Sequence, residues 1–101
     1  MSGSKHDKDK APITMIPSEA IEEMAHAFNY GAKKYTRNNF KSGIEYTRLL
    51  DAAFRHMLAF NNNEDTDSES SRSHIAHALA SLAMLMYMIK NRPEMDDRYK
   101  K

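Results

Sequence analysis

Apolar side chains recur at helical spacing in three stretches of this chain, with polar intervals between them. In the first stretch Ile21, Met24, Ala25, Phe28 and Ala32 fall on one stripe. Pro17-Ser18 marks its start, with Ser18 as the expected N-cap, and Glu19, Glu22 and Glu23 place negative charge at the positive end of the helix dipole. Gly31 weakens or re-aims the last turn, and Lys33 and Lys34 suit the C-terminus. A second helix is predicted from Ile44 to Phe60, with Leu49, Leu50, Ala53, Phe54, Met57 and Leu58 on its apolar side. A third runs from Ser73 to Lys90. There Ile75, Leu79, Leu82, Met86 and Ile89 form a stripe widened by Ala78, Leu85 and Met88, and Pro93 ends it.

Of the intervals, Asn61 to Arg72 carries almost no apolar residue. Residues 1–12 read as a flexible N-terminal arm, and Ala11 to Pro17 as an extended lead-in that straps across the body. Tyr35 to Gly43 is a loop anchored by Phe40, and Asn61 to Arg72 is a second loop. Residues 94–101 form a charged, exposed tail. No strand pair is visible, so the expected class is all-α: a bundle of three main helices over residues 13–93. The third helix is apolar over more than half its circumference, more than three helices need to bury. The excess points to a homo-oligomer joined through that helix, with Met84, Met86 and Met88 as adaptable packing.

Bulk properties narrow the function classes. At 101 residues there is room for one domain. No cysteine is present, which excludes disulfides and thiolate metal sites. Fifteen basic residues against fourteen acidic ones leave too little positive charge for general DNA binding. The longest apolar run, Leu79 to Ile89, is too short to span a bilayer, and the polar first residues lack the apolar stretch of a signal peptide. A cytoplasmic protein is expected, with no DNA and no membrane partner.

Four groups of residues can carry chemistry. Tyr30, Lys33, Lys34, Tyr35, Arg37 and Asn39 lie within ten positions, offering cations for phosphate oxygens, rings for stacking and an amide for base edges. The plainer reading is a solvated helix end. On the second helix Asp51 and Arg55 are one turn apart, and Arg55 and His56 border the apolar stripe, where one can stand at a pocket wall. The acidic loop offers Glu64, Asp65, Asp67 and Glu69 as hard oxygen ligands for a divalent ion, or simply a hydrated loop. Glu19, Glu22 and Glu23 are a second choice for metal. His74 and His77, three residues apart at the start of the third helix, share a face and can bind a transition metal, orient a phosphate or move protons.

Taken together, these elements resemble a known family. Lys5-x-Asp7, Ile16-Pro-x-Glu-Ala-Ile-Glu-Glu23, Tyr30-Gly-Ala-Lys-Lys-Tyr35 with Asn39-Phe40, Arg55-His56, Glu64-Asp-x-Asp-x-Glu-Ser70, His74-x-Ala-His-Ala78 and Asp96-Asp-Arg98 follow in one order. The pattern is similar to the phage dATP/dGTP diphosphohydrolase N-terminal domain, and it covers nearly the whole chain. The resemblance implies a helical architecture related to MazG-like pyrophosphohydrolases. It also implies an oligomer, and hydrolysis of a nucleoside triphosphate to the monophosphate and pyrophosphate with Mg2+ or Mn2+. Where the family usually has glycine, this chain has Asn63 and Ser71. The paired acidic motifs that MazG proteins carry on two consecutive helices are also missing, since the third helix carries histidines and no acid.

Two functions follow as expectations. As a hydrolase of the dATP/dGTP class, the chain would hold phosphates with Lys33, Lys34 and Arg55, and metal with Glu64, Asp65 and Asp67. His74, His77 or His56 would position water or the leaving group. As a sponge, the same cations and rings would sequester a cyclic or modified nucleotide that signals host immune defence, with no metal. If the chain is phage-encoded, either function belongs in the host cytoplasm.

Overall fold

The computed structural model describes residues 8–100, so Lys5, Asp7 and most of the expected N-terminal arm lie outside the described residues. Helices α1 (Ser18–Lys34), α2 (Tyr46–Asn61) and α3 (His74–Asn91) are joined by short 3-10 turns at Asn39–Ser42 and, beyond α3, Pro93–Met95. Among the described residues there is no strand, only an isolated antiparallel bridge between Thr66 and Ser73. The fold is all-α.

The helix starts differ from expectation in instructive ways. Pro17, not Ser18, occupies the N-cap position of α1. Its carbonyl accepts from the Ala20 and Ile21 amides, and Ser18 is already helical and caps nothing. At α3 the Ser73 hydroxyl accepts from the Ile75 and Ala76 amides at 3.1 and 3.2 Å. α2 receives its cap from far along the chain. Glu45 offers no side-chain bond, and Asp97 accepts from the Thr47 amide at 2.9 Å and from the Thr47 hydroxyl. These two bonds hold the Asp97 carboxyl below its usual range. The charged tail is therefore tied to the body, with the Arg98 guanidinium 5.5 Å from the Tyr46 ring centre. The lead-in is also corrected. Ile13–Met15 is a 3-10 turn closed by Met15 and Ile16 amides, and Ile13, Met15 and Ile16 are exposed rather than strapped onto a core.

α3 is the central helix. Against α1 it buries Ala27, Ala76 and Ala80, small side chains that let the two backbones approach, flanked by Met24 and Phe28. Against α2 it buries Met88 with Tyr46 and Leu49, and Phe40, Ile44, Met84 and Met95 pack around them. Phe40 does anchor its loop, with its ring 5.8 Å from Phe28 and 5.4 Å from Tyr87. Gly43 closes this turn at φ 124°, where an added Cβ would meet the Met95 sulfur at 3.1 Å. α1 and α2 make no comparable contact with each other, so a gap is left between them above α3.

The opposite side of α3 is bare. Of the expected core stripe, Ile75, Leu82, Met86 and Ile89 are exposed, and Phe54 and Leu58 of α2 are exposed as well. The methionines divide: Met88 is fully buried in the core, while Met86 is 69% exposed. No helix among the described residues is long and apolar enough to cross a membrane.

Candidate functional site

The gap between α1 and α2 is a cleft of about 660 Å3. Its floor is the inner face of α3, with His77, Ala80, Ser81 and Met84. One wall is the C-terminal half of α1 with Tyr30 and Lys34, and the other is α2 with Arg48, Arg55 and His56. Residues of the segment Tyr35 to Ile44, and Asp67 and Glu69 of the acidic loop, complete the lining. The cleft exists because α3 packs against α1 through alanines and α2 packs against the far half of α3.

The acidic loop is a folded unit. The Asp67 amide bonds the Arg72 carbonyl at 2.8 Å, the Ser71 amide bonds the Asp67 carbonyl at 2.7 Å, and the His74 amide bonds the Asp65 carbonyl at 3.0 Å. Asp67 Oδ2 accepts from both the amide and the hydroxyl of Ser70 at 2.9 Å. Partial burial raises the Asp67 pKa, but the two Ser70 bonds and the nearby His77 outweigh it and hold the carboxyl below its usual range. Asn63 and Ser71 both sit in the left-handed region, at φ 71° and 60°. These are the two positions where the resembled family usually has glycine, and the backbone gives the reason: glycine enters this region without steric cost.

Three histidines meet on this loop. His56 and His74 face each other through Nδ1 at 2.9 Å, with ring centres 5.1 Å apart. His74 is buried, and its Nε2 lies 2.6 Å from Glu64 Oε2. His77 stacks on His56 with ring centres 4.8 Å apart and meets Tyr30 edge-on at 6.0 Å. His77 Nε2 is 2.6 Å from the Ser70 hydroxyl, which donates to Asp67. His77 Nε2–H therefore donates to Ser70, leaving the lone pair on Nδ1. The ordinary imidazole pKa is lowered at both His56 and His77. Desolvation is the largest cause at each, and at His56 the neighbouring His77 and His74 add to it. Both rings are therefore neutral at pH 7.

The cation side is organised more loosely. Lys34 Nζ pairs with Glu69 Oε1 at 3.0 Å, and that bond raises the lysine pKa and lowers the glutamate's. Burial, then its hydrogen bond with Glu69, raises the Tyr30 phenol. Of the residues the sequence nominated for nucleotide, Tyr30, Lys34, Tyr35, Asn39 and Arg55 line the cleft. Arg37 faces a separate hollow with Ala25 and Asn29, and Lys33 lines neither.

For metal, the expected carboxylate trio does not come together. Glu64 is engaged with His74, and Asp65 makes its recorded bond through its main chain. Glu19, Glu22 and Glu23 lie on the first turns of α1, away from the cleft-lining half. Among the described residues, the group with metal-ligand spacing is His56, Asp67 and His74, whose donor atoms all lie within 4.8 Å of one another. Sequence reasoning missed Ser70 and Arg48. Asp67-x-x-Ser70 is a local turn signature that points to the first.

No solved structure matches the chain. A protein of Salmonella phage PMBT28 named dATP/dGTP diphosphohydrolase is 40% identical over 98 residues, covering 97% of this chain. The chain spans about a third of that relative's length, 33%. The family described as "dATP/dGTP diphosphohydrolase, N-terminal" matches residues 1–98. With its motifs in order along nearly the full length, this chain belongs to the dATP/dGTP diphosphohydrolase N-terminal family.

Proposed function

We propose that the cleft between α1 and α2 binds a deoxynucleoside triphosphate of the dATP/dGTP class, and that its histidine end hydrolyses it to the monophosphate and pyrophosphate. One observation carries the reading. Neutral histidines and an ionised aspartate converge at one end of a cleft whose walls present Arg48, Arg55 and Lys34. In that cleft the cations neutralise the phosphate chain, while Tyr30 and Tyr35 offer rings to the base.

Water adds to the α-phosphorus, the bond to the bridging oxygen breaks, and pyrophosphate leaves as the anion. The proton from water needs an acceptor, and a neutral imidazole with a lowered pKa is a suitable one. His77, with its tautomer set by Ser70 and Asp67, lines the cleft and takes this role, and His56, stacked on it, fixes its ring. A divalent ion would be held by His56, His74 and Asp67. It would neutralise phosphate charge and acidify water.

The sponge reading uses the same walls without the histidines. The convergence of His56, His74 and Asp67 favours hydrolysis, because retention of a nucleotide does not require it. The exposed stripe of α3 is the surface through which the protein self-associates in this proposal, and a monomeric mass at every concentration would remove that part. The test of function is pyrophosphate release from dATP and dGTP with each divalent ion, together with recovery of intact nucleotide after denaturation. Turnover that falls at least about 10-fold in Arg55→Ala supports the proposal. Tight binding with the nucleotide recovered unchanged would make the chain a sponge.

A further inference from the structure

The family resemblance leads to magnesium or manganese on oxygen ligands, but the side chains that converge here are of another kind. We propose that His56, His74 and Asp67 form a site for one first-row transition ion of the manganese-to-zinc series, in preference to magnesium. What the ion does for a nucleotide rests on the reading above; whether it binds does not.

The ligands come from three separate elements: His56 from α2, Asp67 from the loop and His74 from the start of α3. Two nitrogens bound at about 2.05 Å stand about 2.9 Å apart at right angles and about 3.3 Å apart at the tetrahedral angle. His56 Nδ1 and His74 Nδ1 are 2.9 Å apart. Bringing the Asp67 oxygen into the same sphere from within 4.8 Å takes a side-chain adjustment of at most about 2 Å.

The surroundings fit the same role. A metal-bound histidine ordinarily gives its other ring N–H to a carboxylate, which fixes the tautomer and strengthens the ligand. Glu64 Oε2 sits 2.6 Å from His74 Nε2, so the proton lies on Nε2 and the Nδ1 lone pair points to His56. Ser70 occupies Oδ2 of Asp67 with two bonds and keeps the carboxylate oriented. The stacked His77 ring restricts His56. Without an ion, the two facing Nδ1 atoms share a single proton. With one, both lone pairs are used, and the carboxylates of Asp67 and Glu64 balance the added charge. Imidazole nitrogen suits iron, nickel, copper and zinc, with affinity lowest at manganese and highest at copper, whereas magnesium takes oxygen donors and keeps its water.

The test uses the whole chain, stripped of metal. Cobalt is followed by its visible ligand-field absorption, and manganese, zinc and magnesium by calorimetry. One cobalt or zinc per chain is expected, with magnesium at least about 100-fold weaker than zinc. His74→Gln should weaken zinc by at least about 10-fold, and Glu64→Gln, which removes only the orienting carboxylate, by about 10-fold. Glu64 is exposed, so that variant keeps the test readable if the buried His74 change prevents folding. The proposal fails if no ion binds. It also fails if magnesium binds as tightly as zinc, or if zinc binds folded Glu64→Gln and His56→Gln as tightly as the parent. Binding without nucleotide turnover keeps the site and removes the hydrolase reading. Nucleotide turnover with no cobalt or zinc bound does the reverse.

Discussion

The two polar segments that line the cleft look alike in sequence and are built on different principles. Tyr35 to Gly43 is held by an apolar anchor, with Phe40 between Phe28 and Tyr87, and its charged side chains stay at the surface. Residues 62–73 have no such anchor. They are fixed by backbone bonds, by the Ser70 bonds to Asp67 and by three histidines packed behind them. A segment without apolar residues can be rigid when its donors and acceptors are matched internally, and that rigidity is what positions a reactive group. The first segment can supply affinity; the second can hold atoms in place.

The sharpest way to break this contrast is to remove the hub of the second loop. Asp67→Ala deletes the acceptor of two Ser70 bonds and leaves His77 without its indirect partner. Bonds to an ionised group in a half-buried setting make this a loss of about 2 kcal/mol, which is about 10 °C in melting temperature for a domain of this size. Lys34→Ala, which removes a pair between exposed side chains of α1 and the same loop, should leave the melting temperature unchanged. Equal effects of the two variants would erase the distinction.

Acid should separate the regions next. His56 and His77 take up protons less readily in the folded chain than in the unfolded one, where imidazole titrates near about 6.5. Below that pH the unfolded state binds protons that the folded state refuses. Stability is then lost as pH falls from about 6.5 through the lowered folded values, and above that window these rings change nothing further. Asp67 acts in a lower window, stabilising above its unfolded value near about 3.9 and losing that as pH falls through its lowered one. A melting temperature a few degrees lower at about pH 5 than at pH 7 is expected. The drop should shrink in a His56→Gln, His77→Gln double variant, and an unchanged drop would place the acid sensitivity elsewhere.

The smallest effect is the most local. Ser71 is held at φ 60°, and Ser71→Gly removes the steric cost while adding backbone freedom to the unfolded chain. A gain of about 0.5–1 kcal/mol is expected in denaturant unfolding, and a smaller one at Asn63, because asparagine enters this region more readily. A loss at Ser71 would mean that its side chain makes contacts worth more than the relieved strain.

Periodicity made the three helices legible nearly to their ends, since apolar residues at helical spacing have few other uses. The cap of α2 was not legible, because Asp97 stands fifty residues away from Thr47 and nothing local links them. Nor was the burial of the third helix: periodicity shows a stripe but not which side of it meets the core, so Met88 is enclosed while Met86 faces out. At the site, the sequence found the histidines and Asp67 one by one. It grouped the acids by nearness in the chain, whereas the loop turns Asp67 toward His56 and His74 and uses Glu64 to hold His74. Left-handed backbone at Asn63 and Ser71 makes that turn, and it leaves no mark in an apolar pattern.

The central claim is that nucleotide lies in the cleft between α1 and α2 with its phosphates toward the histidines. Titrating dGTP into the isotopically labelled protein and following backbone and histidine ring resonances tests it most directly. The account predicts saturable shifts at Tyr30, Arg55, His56 and His77, with the outer stripe of Ile75, Leu82, Met86 and Ile89 unmoved. Saturable shifts confined to that stripe, or none at any residue of the cleft, would contradict it.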